Sequence, residues 1–148
     1  MLTRYFALLC GVVFTIIGVL GFIPALSPPA GPDAPELAVP ANYGYLLGLF
    51  PVNLFHNLIH LAIGVLSFAT WRSYAAARTF ARGLAIYLGT LALMGLAPPL
   101  HTTFGLVPLY GNDVWLHGLE ALLAAYFGFV ARRDTTIAGL LRRVRSDV

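Results

Sequence analysis

The sequence contains no lysine, a single cysteine and few charges, which make up 10% of its 148 residues. Each shortage excludes something. Cys10 has no second cysteine with which to form an intrachain disulfide, and inside an apolar run it reads as a small helix residue. A soluble domain of this size needs far more polar surface to cover its core. With 59% hydrophobic residues and a mean hydropathy of +0.81, the chain is instead one that lipid would solvate. No CxxC, no Gly-x-Ser-x-Gly and no phosphate-cradling glycine loop is present, so the chemistries built on them have no support here. All nine basic residues are arginine and the net charge is +3, but the arginines sit at the ends of apolar runs. They form no stripe alternating with exposed aromatics, and nucleic acid is not expected as a partner.

What is present is a set of four apolar segments, expected to span a membrane at residues 5–26, 53–70, 82–97 and 113–130. The first exceeds the apolar core of a signal peptide, which is about 7 to 15 residues, so a retained span is expected. Residues 27–52 and 98–112 form the two outer loops. The first is proline-rich between 27 and 42 and cannot be helical in lipid. Within it YGYLLGLF, residues 43–50, suggests a short interfacial helix, and Pro98-Pro99 ends the third span. The tail, residues 131–148, carries apolar and arginine residues that suit either an amphipathic helix on the inner leaflet or a solvated segment.

Arginine placement orients the spans. Arg4, Arg72, Arg78, Arg82 and the five arginines after the fourth span all fall on one side, whereas the other side has Asp33, Glu36 and Asp113 and no base. The positive-inside rule then predicts an all-α integral-membrane four-helix bundle, up-down-up-down. It is a single multi-pass domain over residues 1–148 in the cell inner membrane, with both termini cytoplasmic. Lipid is its surrounding partner; a second copy or another membrane protein is left open.

The polar residues within the spans are patterned. At 100° per residue, His56, Asn57, His60, Gly64 and Ser67 lie within about 60° of Asn53, on one stripe of the second span. Span four repeats this: His117 and Glu120 lie within about 40° of Asp113. The two spans run in the same direction, so the stripes meet at one level near the outer face, with His101 in the loop above. Polar groups in a span turn toward the bundle interior because an unpaired one in hydrocarbon is costly.

A transition-metal ion bound by His56, His60, His117 and Glu120 is the leading expectation, with zinc favoured over copper or iron. Histidines at i and i+4 stack on one helix face and can chelate one ion. His101 is a candidate cap, and Asn57 and Asp113 are candidates to fix the imidazole tautomers. The alternative is a cofactor-free protein, devoted to packing or partner binding, in which the same side chains form a hydrogen-bond network. Haem held by facing histidines, or a membrane-embedded metal hydrolase, comes third. No catalytic residue is assigned: a zinc protease of the HExxH type needs glutamate where Asn57 stands.

YGYLLGLFPVNLFHNLIHLAIGVL and the later NDVWLHGLEALL resemble the bacterial four-helix membrane proteins of domain-of-unknown-function family 4383. The NxxHNxxH segment at Asn53, His56, Asn57 and His60 is the most specific part. The resemblance implies a four-helix inner-membrane protein and brings no assigned activity.

Overall fold

The computed structural model describes residues 1–131, which are mostly helical and contain four α-helices. In chain order these are α1 (Leu2–Leu20), strands β1 (Gly44–Leu46) and β2 (Phe50–Val52), α2 (Leu54–Thr70), α3 (Tyr74–Gly95) and α4 (Asn112–Ala125). A 3₁₀ turn at Pro98–Leu100 precedes α4, and a π-helical turn at Tyr126–Val130 follows it. The tail, which suits either an amphipathic helix on the inner leaflet or a solvated segment, lies outside the described residues, beyond residue 131.

The helix boundaries follow from local chemistry. Asn53 caps α2 by accepting a hydrogen bond from the His56 amide at 2.9 Å, which satisfies one orphan donor of the first turn. Ser73 does the same for α3 through the Ala76 amide, and three alanines follow, the best helix formers. The third helix therefore starts at Tyr74 rather than near residue 82, and only residues 71–73 link it to α2. Arg78 and Arg82 are accommodated within it because the Nε–H of each donates to the Gly128 carbonyl at 2.9 Å. The π turn leaves that carbonyl outside the regular i→i+4 ladder. At the other end of the chain α1 stops at Leu20, short of residue 26, because Pro24 lacks an amide donor and cannot continue the helix.

Small residues set the packing between α1 and α2. A Cβ on Gly64 would collide with Thr15, one on Gly11 with Phe68, and one on Gly21 with the Asn57 amide. As α1 is followed from Gly21 back to Gly11, its partners on α2 advance from Asn57 to Phe68. On the other side α3 and α4 meet through Gly95 against Val114 and through Gly128 against Arg82. Inside are alanines and polar side chains: Ala7, Ala77, Ala81 and Ala124 are buried, and so are Asn53, His56, Asn57, His60, Ser67, Asp113 and His117. Outside are large apolar ones, with Leu9 on α1, Val65 on α2, Leu93 on α3 and Leu122 on α4 all 60% or more exposed. Among the described residues one helix, α1, is long and apolar enough to cross a membrane, and only 33% of its most apolar stretch is buried. The next, α2, is apolar but shorter.

The expected interfacial helix at 43–50 is instead a β-hairpin, with Gly44 opposite Val52 and Leu46 opposite Phe50. Leu47 and Gly48 turn it in the left-handed region, at φ 54° and 72°. Gly44 lies so close to the Pro28 carbonyl that a Cβ would clash, and Pro51 has no amide to give a helix. The tyrosine hydroxyls hold the hairpin to the loop between α3 and α4: Tyr110 is 2.7 Å from Tyr43 and 2.9 Å from Tyr45. Burial, then these two hydroxyls, push the Tyr110 phenol well above its ordinary pKa, so the cluster stays neutral.

A buried three-histidine cluster

The hairpin leads directly into the site. β2 ends one residue before Asn53, and the Pro51 carbonyl it presents lies 3.0 Å from His56 Nδ1. A carbonyl can only accept, so His56 Nδ1 carries the proton and Nε2 keeps its lone pair. That lone pair faces His60 Nε2 at 3.0 Å, with the two rings edge to face. From α4, His117 brings its ring to 6.2 Å from His56 between centroids. One ligand nitrogen from each of the three lies within 4.8 Å of the others, and all three residues are buried.

Asn53 fixes the outer end over this cluster. It is fully buried, and its side-chain amide donates to the carbonyls of Val39 at 3.1 Å and Leu106 at 2.7 Å. One residue thus caps α2 and ties to it the loop before β1 and the loop between α3 and α4. The second loop folds over the cluster with Thr103 and Phe104 at positive φ, 47° and 60°. For a β-branched residue such a conformation is strained. It sets Thr103 in the wall of a cavity of about 140 Å³ lined by the three histidines together with Ile59, Ile63, Tyr87, Leu88 and Leu91. The Thr103 hydroxyl and His60 Nδ1 are buried without a hydrogen-bond partner.

The remaining sequence candidates divide. Asp113 lies beside the cluster, its Oδ2 3.6 Å from His117 Nδ1, just beyond hydrogen-bond reach but close enough to orient the ring. Glu120 is not gathered with the histidines. It lines a separate cavity of about 130 Å³ with Phe6, Cys10, Phe14 and Leu123, on the α1 side of α4. His101 stands beside Tyr110, at 6.1 Å between ring centroids, and is not part of the cluster. Asn57 turns its amide onto Gly21 of α1, and its Nδ2 has no partner. It touches packing rather than imidazole. Sequence reasoning missed Tyr87 and Thr103. A tyrosine in the middle of an apolar helix was a usable signal for the first; nothing in the spacing of the outer loop marks the second.

Chemically, three neutral imidazoles can share one cation, since a lone pair is available on His56 and the others can turn one inward. Tetrahedral zinc at about 2.0–2.1 Å from each nitrogen needs nitrogens about 3.3 Å apart. The 3.0 Å pair is close to this, and the largest separation, 4.8 Å, requires only side-chain adjustment. In the cation-free form the same groups make a hydrogen bond, with His60 Nε2–H donating to His56 Nε2.

Fold and cluster together define a small helical protein with three buried, converging histidines at one end. The chain belongs to the family described as domain of unknown function (DUF4383), whose model matches residues 4–130. Neither the curated proteins nor the solved structures contain a match to it.

Proposed function

We propose that this is an integral membrane protein of four spans, arranged up-down-up-down in the cell inner membrane with both termini cytoplasmic. Near its outer face it binds one transition-metal ion through His56, His60 and His117. The membrane reading is supported by the apolar outer surface of all four helices and by the grouping of arginines at one end. There Arg4 donates to the Trp71 carbonyl at 3.0 Å, and Arg4 and Arg72 lie over the Trp71 ring. Arg78 and Arg82 meet Gly128 at the same end.

One observation carries the metal reading: three buried ring nitrogens from two helices within 4.8 Å of one another. Zinc is the ion best suited to a set of three imidazoles with a fourth position open. Asp113 then holds the His117 tautomer, and on binding the His60 proton moves from Nε2 to Nδ1, so that all three ligands stay neutral imidazoles. Glu120, which lies in another cavity, is not a ligand in this reading. The competing reading, a cofactor-free packing network, draws on the 3.0 Å contact between His56 and His60, which closes a hydrogen bond without any ion.

The test is elemental analysis by plasma mass spectrometry of protein purified in mild detergent without a histidine tag. Wild type is expected to hold about one equivalent of metal per chain, and His60→Ala almost none at unchanged helix content by circular dichroism. Equal metal in both proteins, or none in wild type after incubation with excess ions, overturns the assignment.

A further inference from the structure

The cavity beside the histidines adjoins a second space. Ile63 and Tyr87 line both, and the second is the larger, about 540 Å³ between α2 and α3. This groove continues past Leu66, Phe80 and Leu84 to Thr70. It exists because α2 and α3, although consecutive in the chain, touch each other far less than α1 touches α2 or α3 touches α4. From Ile63 to Thr70 it runs about 10 Å along α2, at 1.5 Å per residue. Its walls are almost wholly apolar, and Leu66 and Tyr87, which line it, are each more than a third exposed. In a membrane the groove opens to the hydrocarbon.

The inner cavity, about 140 Å³, is by itself smaller than the roughly 300–1,000 Å³ of ordinary ligand sites. Joined to the groove it reaches that range. The charge at its head is also incomplete. Three imidazoles are neutral ligands, Glu120 lies in a different cavity, and Asp113 stands behind the His117 ring at Nδ1 rather than among the converging nitrogens, so a bound divalent ion has no carboxylate of the chain as a direct ligand. Such a centre favours an anionic fourth ligand. The larger of the two adjoining spaces is the apolar groove, which in a membrane faces lipid.

We propose that a long-chain carboxylate enters sideways from the bilayer between α2 and α3, with its head group on the metal and its chain in the groove beneath Tyr87. The Thr103 hydroxyl, buried and unpartnered on the cavity wall, is placed to donate to the second carboxylate oxygen. This rests on the metal reading above and names the class of molecule the site would meet.

Cobalt(II) in place of zinc reports a change of fourth ligand through its visible absorption. The full chain, loaded with cobalt in lipid nanodiscs, would be titrated with dodecanoate and with acetate. Dodecanoate is expected to half-saturate the spectral change at a total concentration about 100-fold below acetate, because its chain concentrates it in the bilayer. Filling the groove with Gly83→Trp, at a position that lines the groove but not the histidine cavity and where a side chain meets open space, should erase that advantage while cobalt content and the acetate response stay. Leu66→Trp, on the α2 wall, should erase part of it. Equal responses to the two acids, or a dodecanoate advantage that survives both tryptophans in cobalt-loaded protein, overturn the lateral route and leave the metal site standing. Failure of wild type to take up cobalt removes the metal reading, and this inference falls with it.

Discussion

Two largely apolar cavities of this protein each contain ionisable side chains, and they differ in one respect. The first gathers three histidines from α2 and α4; the second holds Glu120 alone among Phe6, Leu9, Val13 and Leu123. Cys10 shares that lining. Phe14 belongs to both regions, because it lines the Glu120 cavity and sets its ring edge to face against His60 at 5.2 Å. The comparison teaches that sharing a helix face does not mean sharing a site. His117 and Glu120 are three residues apart and both point inward, yet one enters the seam with α2 and the other the seam with α1. Convergence from two helices makes the first cavity a candidate centre, and its absence makes the second a packing feature that contains one ionisable group.

The most severe way to break the comparison is to remove the wall. Phe14 is 2% exposed, and Phe14→Ala would leave a void beside His60. The expected cost is about 3 kcal/mol or more, measured by reversible unfolding in mixed micelles. A loss below about 1 kcal/mol would mean that the helices close over the gap and that the two cavities are not held apart by this ring. A smaller change sharpens the contrast from the histidine side. Asp113→Asn replaces the carboxyl that faces His117 Nδ1 at 3.6 Å by an amide of the same shape. Metal affinity, read by competition with a chelator of known strength, should fall about 10- to 100-fold. An unchanged affinity would show that the His117 ring is oriented by packing alone.

Periodicity carried much of this into the sequence, and its limits mark what stayed hidden. The stripe of Asn53, His56 and His60 on α2 is legible because a helix returns to the same face every three or four residues, and His117 follows on α4 by the same rule. That rule assigns a direction, not a partner. Whether a side chain at the edge of the stripe meets α1 or α2 depends on where glycines let helices approach, and Gly11, Gly18 and Gly64 draw α1 against α2 at a position the wheel cannot supply. The hairpin was hidden for a related reason. YGYLLGLF is as apolar as a short helix, and what decides against one is the contact of Gly44 with the distant Pro28 carbonyl and of two tyrosines with Tyr110. The early start of α3 was masked by Arg78 and Arg82, which read as the end of a span until the π turn of α4 offers them a carbonyl. Thr103 sits in a loop with no period at all.

The gentlest test addresses the other cavity directly. Glu120→Gln keeps the volume and hydrogen-bonding capacity of the side chain and removes only its ability to ionise. If the histidines are a separate centre, metal content and affinity should match wild type within about twofold, since no atom of the first coordination sphere changes and the group is not one that orients a ligand. Unfolding in micelles should shift little, by about 1 kcal/mol or less, because the substitution leaves no void. A large loss of metal on this change would place Glu120 at the ion after all, which requires α4 to turn His117 and Glu120 into one seam. That outcome would also supply the missing anionic ligand from within the chain, and with it the reason for a carboxylate to arrive from lipid would disappear. The quietest substitution therefore tests the most: an unaltered metal site keeps both cavities distinct and leaves the fourth position for something the protein does not provide.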